Sequence, residues 1–263
     1  MPHIDSHAPG TFCWMELATT DQDAAKKFYS ELFGWTPADV PIGPSDVYTM
    51  FKLEGRDAAA GYTMRQEDRD RGVPPHWMLY ISSDDVNASA QKVRDAGGKV
   101  LADPFDVMTF GKMAVIQDPT GAIFAIWQPV THLGIGIKDQ HGTFCWSDLM
   151  SPDSKRAQDF YGQVFGWKLV TGENDSSGYL HILNGEKMIG GMPPSEHQPP
   201  NTPPHWLLYF LAQNCEESTG KLKELGGRVH AGPMTIPNVG RMSIVADPQG
   251  AVFALFEPSP NQR

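Results

Sequence analysis

The sequence predicts an α+β protein in which one domain occurs twice in tandem. Short motifs recur at nearly constant spacing along the 263 residues. Within each copy, a strand-like run is followed by a segment with a helical hydrophobic period, and this order occurs twice. The composition, with 40% hydrophobic and 20% charged residues, is typical of globular chains. A repeat of this length indicates domain duplication, because solenoid repeats span only about 20–50 residues.

Four motifs show the repeat. They are GTFCW at 10–14 and 142–146, FGW at 33–35 and 165–167, PPHW at 74–77 and 203–206, and DPxG at 118–121 and 247–250. The first two pairs are 132 residues apart and the last two are 129 apart. We therefore expect the second copy to be three residues shorter in a loop between about Trp35 and Pro74. The Gly-containing junction near residues 129–141 predicts a first domain at 1–131 and a second at 132–263.

The first half of each copy is predicted to contain a strand, a helix and three strands. The aromatic-rich segment 12–17 follows Pro-Gly, which favours a strand. From Asp21 to Phe33 the apolar residues recur at helical spacing. Thr20 and Asp21 are the candidate N-caps of this helix, and Gly34 is its predicted C-cap. Further strand-like segments lie around Trp35, at 47–53 and at 59–64.

The same order follows in the second half of the copy. A strand is predicted at 76–82, and Asp84-Asp85 is the predicted cap of a helix that ends before Gly97. Strand-like segments then lie near Val100, at 113–117 and at 122–127. Each domain is therefore predicted to be two βαβββ modules that form one curved mixed sheet around a cavity.

Strand alternation predicts that the two faces of each sheet differ. In the strand at 76–82, Trp77, Leu79 and Ile81 are uniformly apolar, which suits packing under a helix, whereas the alternate residues are mixed. The same alternation places Cys13 and Cys145 on the helix side, as inert small hydrophobes. It places Phe12 on the mixed face.

Charge and composition argue against several classes of protein. The net charge of −10, with no run of Lys or Arg, disfavours binding to nucleic acid or to an anionic membrane. No signal-peptide pattern and no apolar stretch of roughly 18 residues is visible. Three cysteines without a Cys-x-x-Cys pair are typical of a reducing compartment. We therefore expect a cytoplasmic protein.

Two segments of each copy resemble a known family. ATTDQDAAKKFYSELFGW at 18–35 and DPTGAIFAIWQP at 118–129 are similar to the helix-opening and last-strand signatures of vicinal oxygen chelate domains, the glyoxalase/bleomycin resistance protein/extradiol dioxygenase superfamily. SPDSKRAQDFYGQVFGW at 151–167 and DPQGAVFALFEP at 247–258 repeat them. The resemblance is greatest to tandem glyoxalase-related members. Most enzymes of the family hold a divalent metal on a concave face, whereas bleomycin-binding members use the cavity without catalysis, so the fold alone does not decide function.

The ligand positions that the resemblance implies carry no metal-binding side chains. These positions are Trp14, Met78 and Ala125 in the first copy, and Trp146, Leu207 and Ala254 in the second. The fourth position, near 61–64 or 190–192, offers no Asp, Glu or His. Divalent ions of this kind need oxygen or imidazole donors. We therefore predict no metal cofactor.

One alternative keeps a divalent metal. Glu16 and His76 lie two residues from the mapped positions on the same face, and Asp148 and His205 repeat them. A displaced carboxylate–imidazole site in each domain would suit a metal-dependent lyase, isomerase or dioxygenase/hydroxylase. In the other interpretation the histidines bond to loop backbone and the acids are hydrogen-bonded structural groups, since a charge on a half-buried strand needs a partner.

The leading hypothesis is a small-molecule-binding protein with one aromatic-lined pocket in each domain. The predicted pocket residues are Trp14, Glu16, His76, Met78, Tyr80, Ala125 and Trp127 in the first domain, and Trp146, Asp148, His205, Leu207, Tyr209, Ala254 and Phe256 in the second. A third hypothesis is a structural protein whose cavities are filled by these side chains. Because single-domain relatives often pair, we expect the tandem chain to pair its domains internally and to be a monomer.

Overall fold

The structure, a computed structural model, describes residues 4–44, 46–172, 176–198 and 202–260. The first half contains β1 (Phe12–Thr19), α1 (Gln22–Phe33), β2 (Thr36–Pro41), β3 (Val47–Leu53), β4 (Arg56–Thr63), α2 (Gln66–Asp70), β5 (His76–Ser82), α3 (Val86–Asp95), β6 (Lys99–Val107), β7 (Gly111–Gln117) and β8 (Ile123–Pro129). The second half contains β9 (Phe144–Met150), α4 (Ser154–Phe165), β10 (Lys168–Thr171), β11 (Leu180–Asn184), β12 (Lys187–Met192), a 3₁₀ turn (Ser195–His197), β13 (His205–Leu211), α5 (Cys215–Glu224), β14 (Arg228–Ile236), β15 (Gly240–Ala246) and β16 (Val252–Pro258).

Each half of the chain forms its own open, eight-stranded mixed sheet. The strand order is β2-β3-β4-β1-β5-β8-β7-β6 in the first and β10-β11-β12-β9-β13-β16-β15-β14 in the second. Within each module the first strand is parallel to the last, and the two modules join through the antiparallel pair β1–β5 or β9–β13. This arrangement confirms the predicted α+β fold with two βαβββ modules in each copy.

The predicted helix caps are present. The side chain of Asp21 accepts the backbone N–H of Ala24, and that of Asp85 accepts the N–H of Ala88. Gly34 ends α1 with a φ of 76°, a left-handed conformation that glycine adopts without strain. In the described part of the chain, no helix has both the length and the apolar character required to span a bilayer.

The three-residue difference between the copies is distributed over two places. Tyr48 in β3 corresponds to Tyr179, the residue just before β11, and these residues are 131 apart rather than 132. One residue is therefore lost before this hairpin, where β10 is shorter than β2. The other two are lost between β4 and β5, where α2 of the first copy is replaced by a 3₁₀ turn.

The helix-side faces of the two sheets share one buried core. Phe12 of the first sheet packs edge-on against Trp206 of the second, with ring centroids 5.3 Å apart. Phe33 packs against Phe210 at 5.2 Å. Because each sheet covers the apolar face of the other, the two halves of the chain pack together through their cores.

Reciprocal hydrogen bonds link the two halves. The Tyr29 hydroxyl donates to Asp247 Oδ2 at 3.0 Å, and the Tyr161 hydroxyl donates to Asp118 Oδ2 at 2.9 Å. Each aspartate also stabilises the turn in which it lies. Its Oδ1 atom accepts hydrogen bonds from the backbone N–H groups of the residues two, three and four positions later in the chain. The carboxylates of the two Asp-Pro-x-Gly turns are therefore also the acceptors that join one half to the other.

Two predicted side-chain directions are wrong because β1 and β9 contain bulges. Phe12 pairs with Ile81 whereas Trp14 pairs with Tyr80, so the alternation is broken at Cys13. Phe12 consequently faces the shared core rather than the mixed face. Cys13 is buried, whereas Cys145 is partly exposed and packs with the cluster on the face of the second sheet opposite to the shared core.

Candidate functional site

A buried or half-buried acid lies near the middle of one face of each sheet, here called the acid face. Residues that pair directly across neighbouring strands lie on the same face of a sheet. The cross-strand row through the acid is His181, Gly191, Asp148 and Leu207 in the second sheet, and Met50, Ala60, Glu16 and Met78 in the first. The acid face is thus the mixed face predicted from strand alternation.

In the second domain, three donors converge on Asp148. The Tyr179 hydroxyl donates to Oδ1 at 2.5 Å and the Tyr209 hydroxyl to Oδ2 at 2.7 Å. The Trp146 indole N–H donates to Oδ1 at 3.0 Å and also lies 2.9 Å from the Tyr179 hydroxyl oxygen. Asp148 is only 5% exposed, so these donors replace the water that the carboxyl group has lost.

The first domain repeats this network with a longer acid. The Tyr48 hydroxyl donates to Glu16 Oε2 at 2.6 Å, and the Tyr80 hydroxyl donates to Oε1 at 2.9 Å. The Trp14 indole N–H donates to the Tyr48 hydroxyl at 3.0 Å. Each acid face therefore carries one carboxyl group, two phenols and one indole in a connected network.

Tyr48 and Tyr179 are functional candidates that the sequence analysis missed. Their spacing of 131 residues matches neither of the two spacings seen in the repeated motifs. A search that allowed the spacing to change by one residue between the motifs would have paired them. The network has four members in each domain. The acid, one tyrosine and the tryptophan were predicted from the sequence, and Tyr48 or Tyr179 is the fourth.

A glycine compensates for the shorter acid of the second domain. Asp148 is one methylene shorter than Glu16, and Gly191 lacks the methyl group of the corresponding Ala60. An ideal Cβ on Gly191 would overlap the Tyr179 hydroxyl oxygen. Gly191 therefore provides the space in which Tyr179 approaches the shorter carboxyl group.

The pKa values reflect burial and these hydrogen bonds. Burial raises the pKa of Asp148 above its ordinary value, while the hydrogen bonds from Tyr179, Tyr209 and Trp146 oppose the rise. Burial likewise raises the pKa of Glu16 against the hydrogen bonds of its two tyrosines. Acids whose pKa values are raised by burial are candidate proton donors and acceptors.

Comparison with known proteins identifies the family. The sequence profile of the Glyoxalase/Bleomycin resistance protein/Dioxygenase superfamily matches residues 11–126 and again 143–255. The chain belongs to this superfamily. It is 38% identical over 268 residues to the putative glyoxylase CFP32 of Mycobacterium tuberculosis (strain CDC 1551 / Oshkosh), with 100% of both chains covered. It is 32% identical over 265 residues to the anthracycline biosynthesis protein DnrV of Streptomyces peucetius, covering 95% of this chain and 94% of that protein.

Solved structures of the superfamily share the fold at low sequence identity. The Mn(II)-bound glyoxalase from Novosphingobium aromaticivorans has a TM-score of 0.65 and 17% identity, covering 95% of this chain and 82% of its own. The 2,3-dioxygenase LapB from Pseudomonas sp. KL28 also has a TM-score of 0.65, with 16% identity and coverage of 97% and 96%. At these identities the likeness establishes the fold alone.

The side chains on the acid faces do not fit the divalent metal that superfamily enzymes use. Trp14 pairs with Tyr80, which pairs with Ala125, and Met78 pairs with Glu16, so the mapped ligand positions Trp14, Met78 and Ala125 offer an indole, a thioether and a methyl group. In the second sheet, Trp146, Tyr209 and Ala254 form the same row. Among the described residues, no group of three or more His, Cys, Asp or Glu side chains is arranged to hold a metal.

The two histidines of the alternative metal site are engaged elsewhere. His76 Nδ1 lies 2.9 Å from the carbonyl oxygen of Pro74, and His205 Nδ1 lies 2.8 Å from that of Pro203. Each histidine pairs across the sheet with an apolar residue rather than with the acid. The structure therefore does not bring Glu16 and His76, or Asp148 and His205, together as a ligand pair.

The register places the remaining predicted pocket residues on the acid faces. Met78 and Leu207 lie beside the acids, and Trp127 and Phe256 pair with Met113 and Met242. This clustering is the arrangement that strand alternation predicted. That these side chains bind a ligand stays a prediction.

The two acid faces differ in how far they are covered. The ring of His132, from the segment after β8, packs edge-on against Trp14 with centroids 4.4 Å apart, and its carbonyl oxygen accepts the indole N–H of Trp127. Trp14 is 3% exposed and Trp127 is 5% exposed, whereas their counterparts Trp146 and Phe256 are only half-buried. The second domain therefore presents more of its aromatic surface to solvent.

The raised pKa of Asp148 predicts a pH-dependent stability. A carboxyl group with a higher pKa in the folded state holds its proton more tightly when folded, so its contribution to stability is lost as the pH rises above the unfolded value of about 4. Asparagine does not titrate. In urea titrations at a series of pH values, the unfolding free energy of wild type minus that of Asp148→Asn should fall from about pH 4 towards the raised pKa of Asp148. A difference that is constant with pH would contradict this assignment.

Proposed function

We propose that the protein binds an oxygen-bearing aromatic small molecule on the acid face of its second domain without a chelated metal. One observation carries this proposal. The carboxyl group of Asp148 is held by hydrogen bonds, and the neighbouring positions at which a metal site would need ligands carry no metal-binding side chains. The first domain has the same network, but His132 covers its aromatic side chains. We therefore expect weaker binding there than in the second domain.

The chemistry of the second acid face favours a flat, oxygen-substituted ligand. Trp146, Phe256 and Tyr179 are half-buried and offer ring surface on which a planar molecule can pack. Tyr209 and Asp148 supply fixed hydrogen-bonding atoms beneath that surface. The relatives named for anthracycline biosynthesis support the same class, because anthracyclines are flat aromatic molecules with hydroxyl and carbonyl oxygens.

A binding titration tests the proposal. Purified protein is analysed for metals by mass spectrometry and then titrated with daunorubicin in the presence of EDTA, with the ligand's fluorescence as the signal. We expect saturable binding that EDTA does not abolish. Trp146→Ala should raise the Kd at least tenfold, since it removes ring surface worth about 1.5–3 kcal/mol.

The control variant is Phe105→Ala, which removes an exposed aromatic ring from the first domain. Its Kd should stay within about twofold of wild type, since an exposed side chain away from the second acid face loses no contact with the ligand. Stoichiometric Fe, Mn, Ni or Zn whose removal abolishes daunorubicin binding would overturn the proposal. So would a Kd that Trp146→Ala leaves unchanged.

A further inference from the structure

We infer that the acid face of the second domain is a proton-transfer site for carbonyl compounds, with His181 as the base and Asp148, with its tyrosines, as the acid. This inference rests on the proposed function, because it assigns an activity to the same ligand site. It names a reaction class, keto–enol tautomerisation of an aromatic ketone, that needs neither a metal nor an oxidant.

His181 lies in the same cross-strand row as the acid, with Gly191 between them. It pairs with Gly191, which in turn pairs with Asp148, so all three share one row on the acid face. Neighbouring strands are about 4.8 Å apart, which separates the two backbones by about 10 Å. The intervening residue is glycine, and the Tyr179 hydroxyl lies where its Cβ would be. A small molecule lying over this row contacts an imidazole at one end and a carboxyl–phenol network at the other.

The imidazole of His181 is oriented by a neighbouring ring, but its Nδ1 atom forms no hydrogen bond with the described residues. Its ring packs edge-on against Tyr179, with centroids 5.2 Å apart, which orients it. Its Nδ1 atom is buried and has no hydrogen-bond partner among the described residues. A buried polar atom without a hydrogen-bond partner lowers the stability of the folded state by about 1–3 kcal/mol. We therefore infer that Nδ1 has a hydrogen-bond partner from outside the chain. A ligand proton is such a partner.

The first domain lacks the base. The residue that corresponds to His181 is Met50, which occupies the same place in the row through Ala60 and Glu16. A thioether does not accept a proton at neutral pH. The acid, both tyrosines and the tryptophan are present in both domains, so the imidazole is the component that distinguishes the second.

The proposed step balances without a further reactant. His181 takes the proton from the carbon next to the ligand's carbonyl group, and the electron pair of that C–H bond forms a carbon–carbon double bond. The carbonyl π electrons move to oxygen, which receives the Tyr209 hydroxyl proton while the protonated Asp148 carboxyl group returns a proton to the phenol oxygen. The product is the enol. Return of a proton to carbon, with the enol proton going back to the acid, regenerates the ketone and both protein groups.

Deuterium exchange measures this step directly. The full-length protein is incubated with 2-tetralone, a bicyclic aromatic ketone with acidic C–H groups, in D₂O containing EDTA, and loss of the C–H signal is followed by NMR. Binding of 2-tetralone is measured in parallel by tryptophan fluorescence. We expect exchange well above the buffer rate. His181→Met, which installs the first domain's residue, should lower it by about 100-fold, the size of a general-base contribution, and change the Kd less than threefold.

Matched variants separate the possible outcomes. Asp148→Asn should also lower the exchange rate, whereas Met50→Leu in the first domain should leave it unchanged. If His181→Met does not fold by circular dichroism, His181→Gln replaces it. Binding of 2-tetralone without exchange above buffer, or exchange that survives loss of the imidazole, overturns the inference and leaves the binding proposal intact. Absence of both binding and exchange overturns the inference and also counts against the binding proposal.

Discussion

Replacing Tyr29 and Tyr161 with phenylalanine should each lower the free energy of unfolding by about 2–4 kcal/mol. Each hydroxyl donates to a turn aspartate of the other half and accepts an indole N–H from Trp77 or Trp206 at 3.1 Å. Both tyrosines are completely buried. The substitution therefore leaves two buried polar groups without a partner, and each such group costs about 1–3 kcal/mol.

Urea denaturation followed by tryptophan fluorescence measures this effect. Lys155→Ala is the control, because it breaks an ion pair with Asp159 that lies in solvent and should change stability very little. The double tyrosine variant should be destabilised by roughly the sum of the two single changes. A loss below about 0.5 kcal/mol for either single variant would show that these hydrogen bonds do not hold the halves together.

Gly191→Ala should remove the Tyr179 hydroxyl from Asp148 and with it most of the ligand affinity of the second domain. The added methyl group would occupy the place of the hydroxyl oxygen, so the ring must move. Asp148 then loses its shortest hydrogen bond, and the aromatic surface next to it shifts. We expect daunorubicin affinity to fall at least tenfold and stability to fall by about 1–3 kcal/mol, as for an overpacked site.

Two further variants test the steric explanation. Gly220→Ala adds a methyl group on α5, where nothing lies within 4 Å, and should leave binding unchanged while stabilising the helix slightly. Gly191→Ala combined with Asp148→Glu recreates the Ala60–Glu16 pair of the first domain. The longer acid should reach the displaced tyrosine and recover part of the lost affinity. If Gly191→Ala and the double variant bind daunorubicin with equal affinity, the glycine does not compensate for the shorter acid.

Most of the fold was predictable because it depends on local patterns. The helices begin at Asp21 and Asp85 as predicted, since a carboxylate that accepts a free N–H group is a property of a few neighbouring residues. Strand alternation placed Tyr80, Glu16 and their counterparts on one face for the same reason. The predictions for Phe12 and Cys145 were wrong because a bulge inserts one residue, and the pattern of apolar residues does not record it.

The candidate site was predicted less completely. The sequence identified the acids, one tyrosine and the tryptophan in each copy, and the lack of metal-binding side chains at the mapped positions. Tyr48 and Tyr179 were missed because the spacing between the copies changes by one residue in a loop before them. His132 was missed because it lies in the connection between the copies, which has no period from which a direction can be read.

The amino-acid sequence by itself determined the duplication, the order of strands and helices, and the chemical character of each sheet face, because these follow from residue types at short spacing. Only the tertiary structure decided which hydroxyls reach Glu16 and Asp148, how Tyr29 and Tyr161 join the two halves, and why Met50 and His181 make the two acid faces unequal. These contacts join residues far apart in the chain, so their geometry depends on strand register and sheet packing.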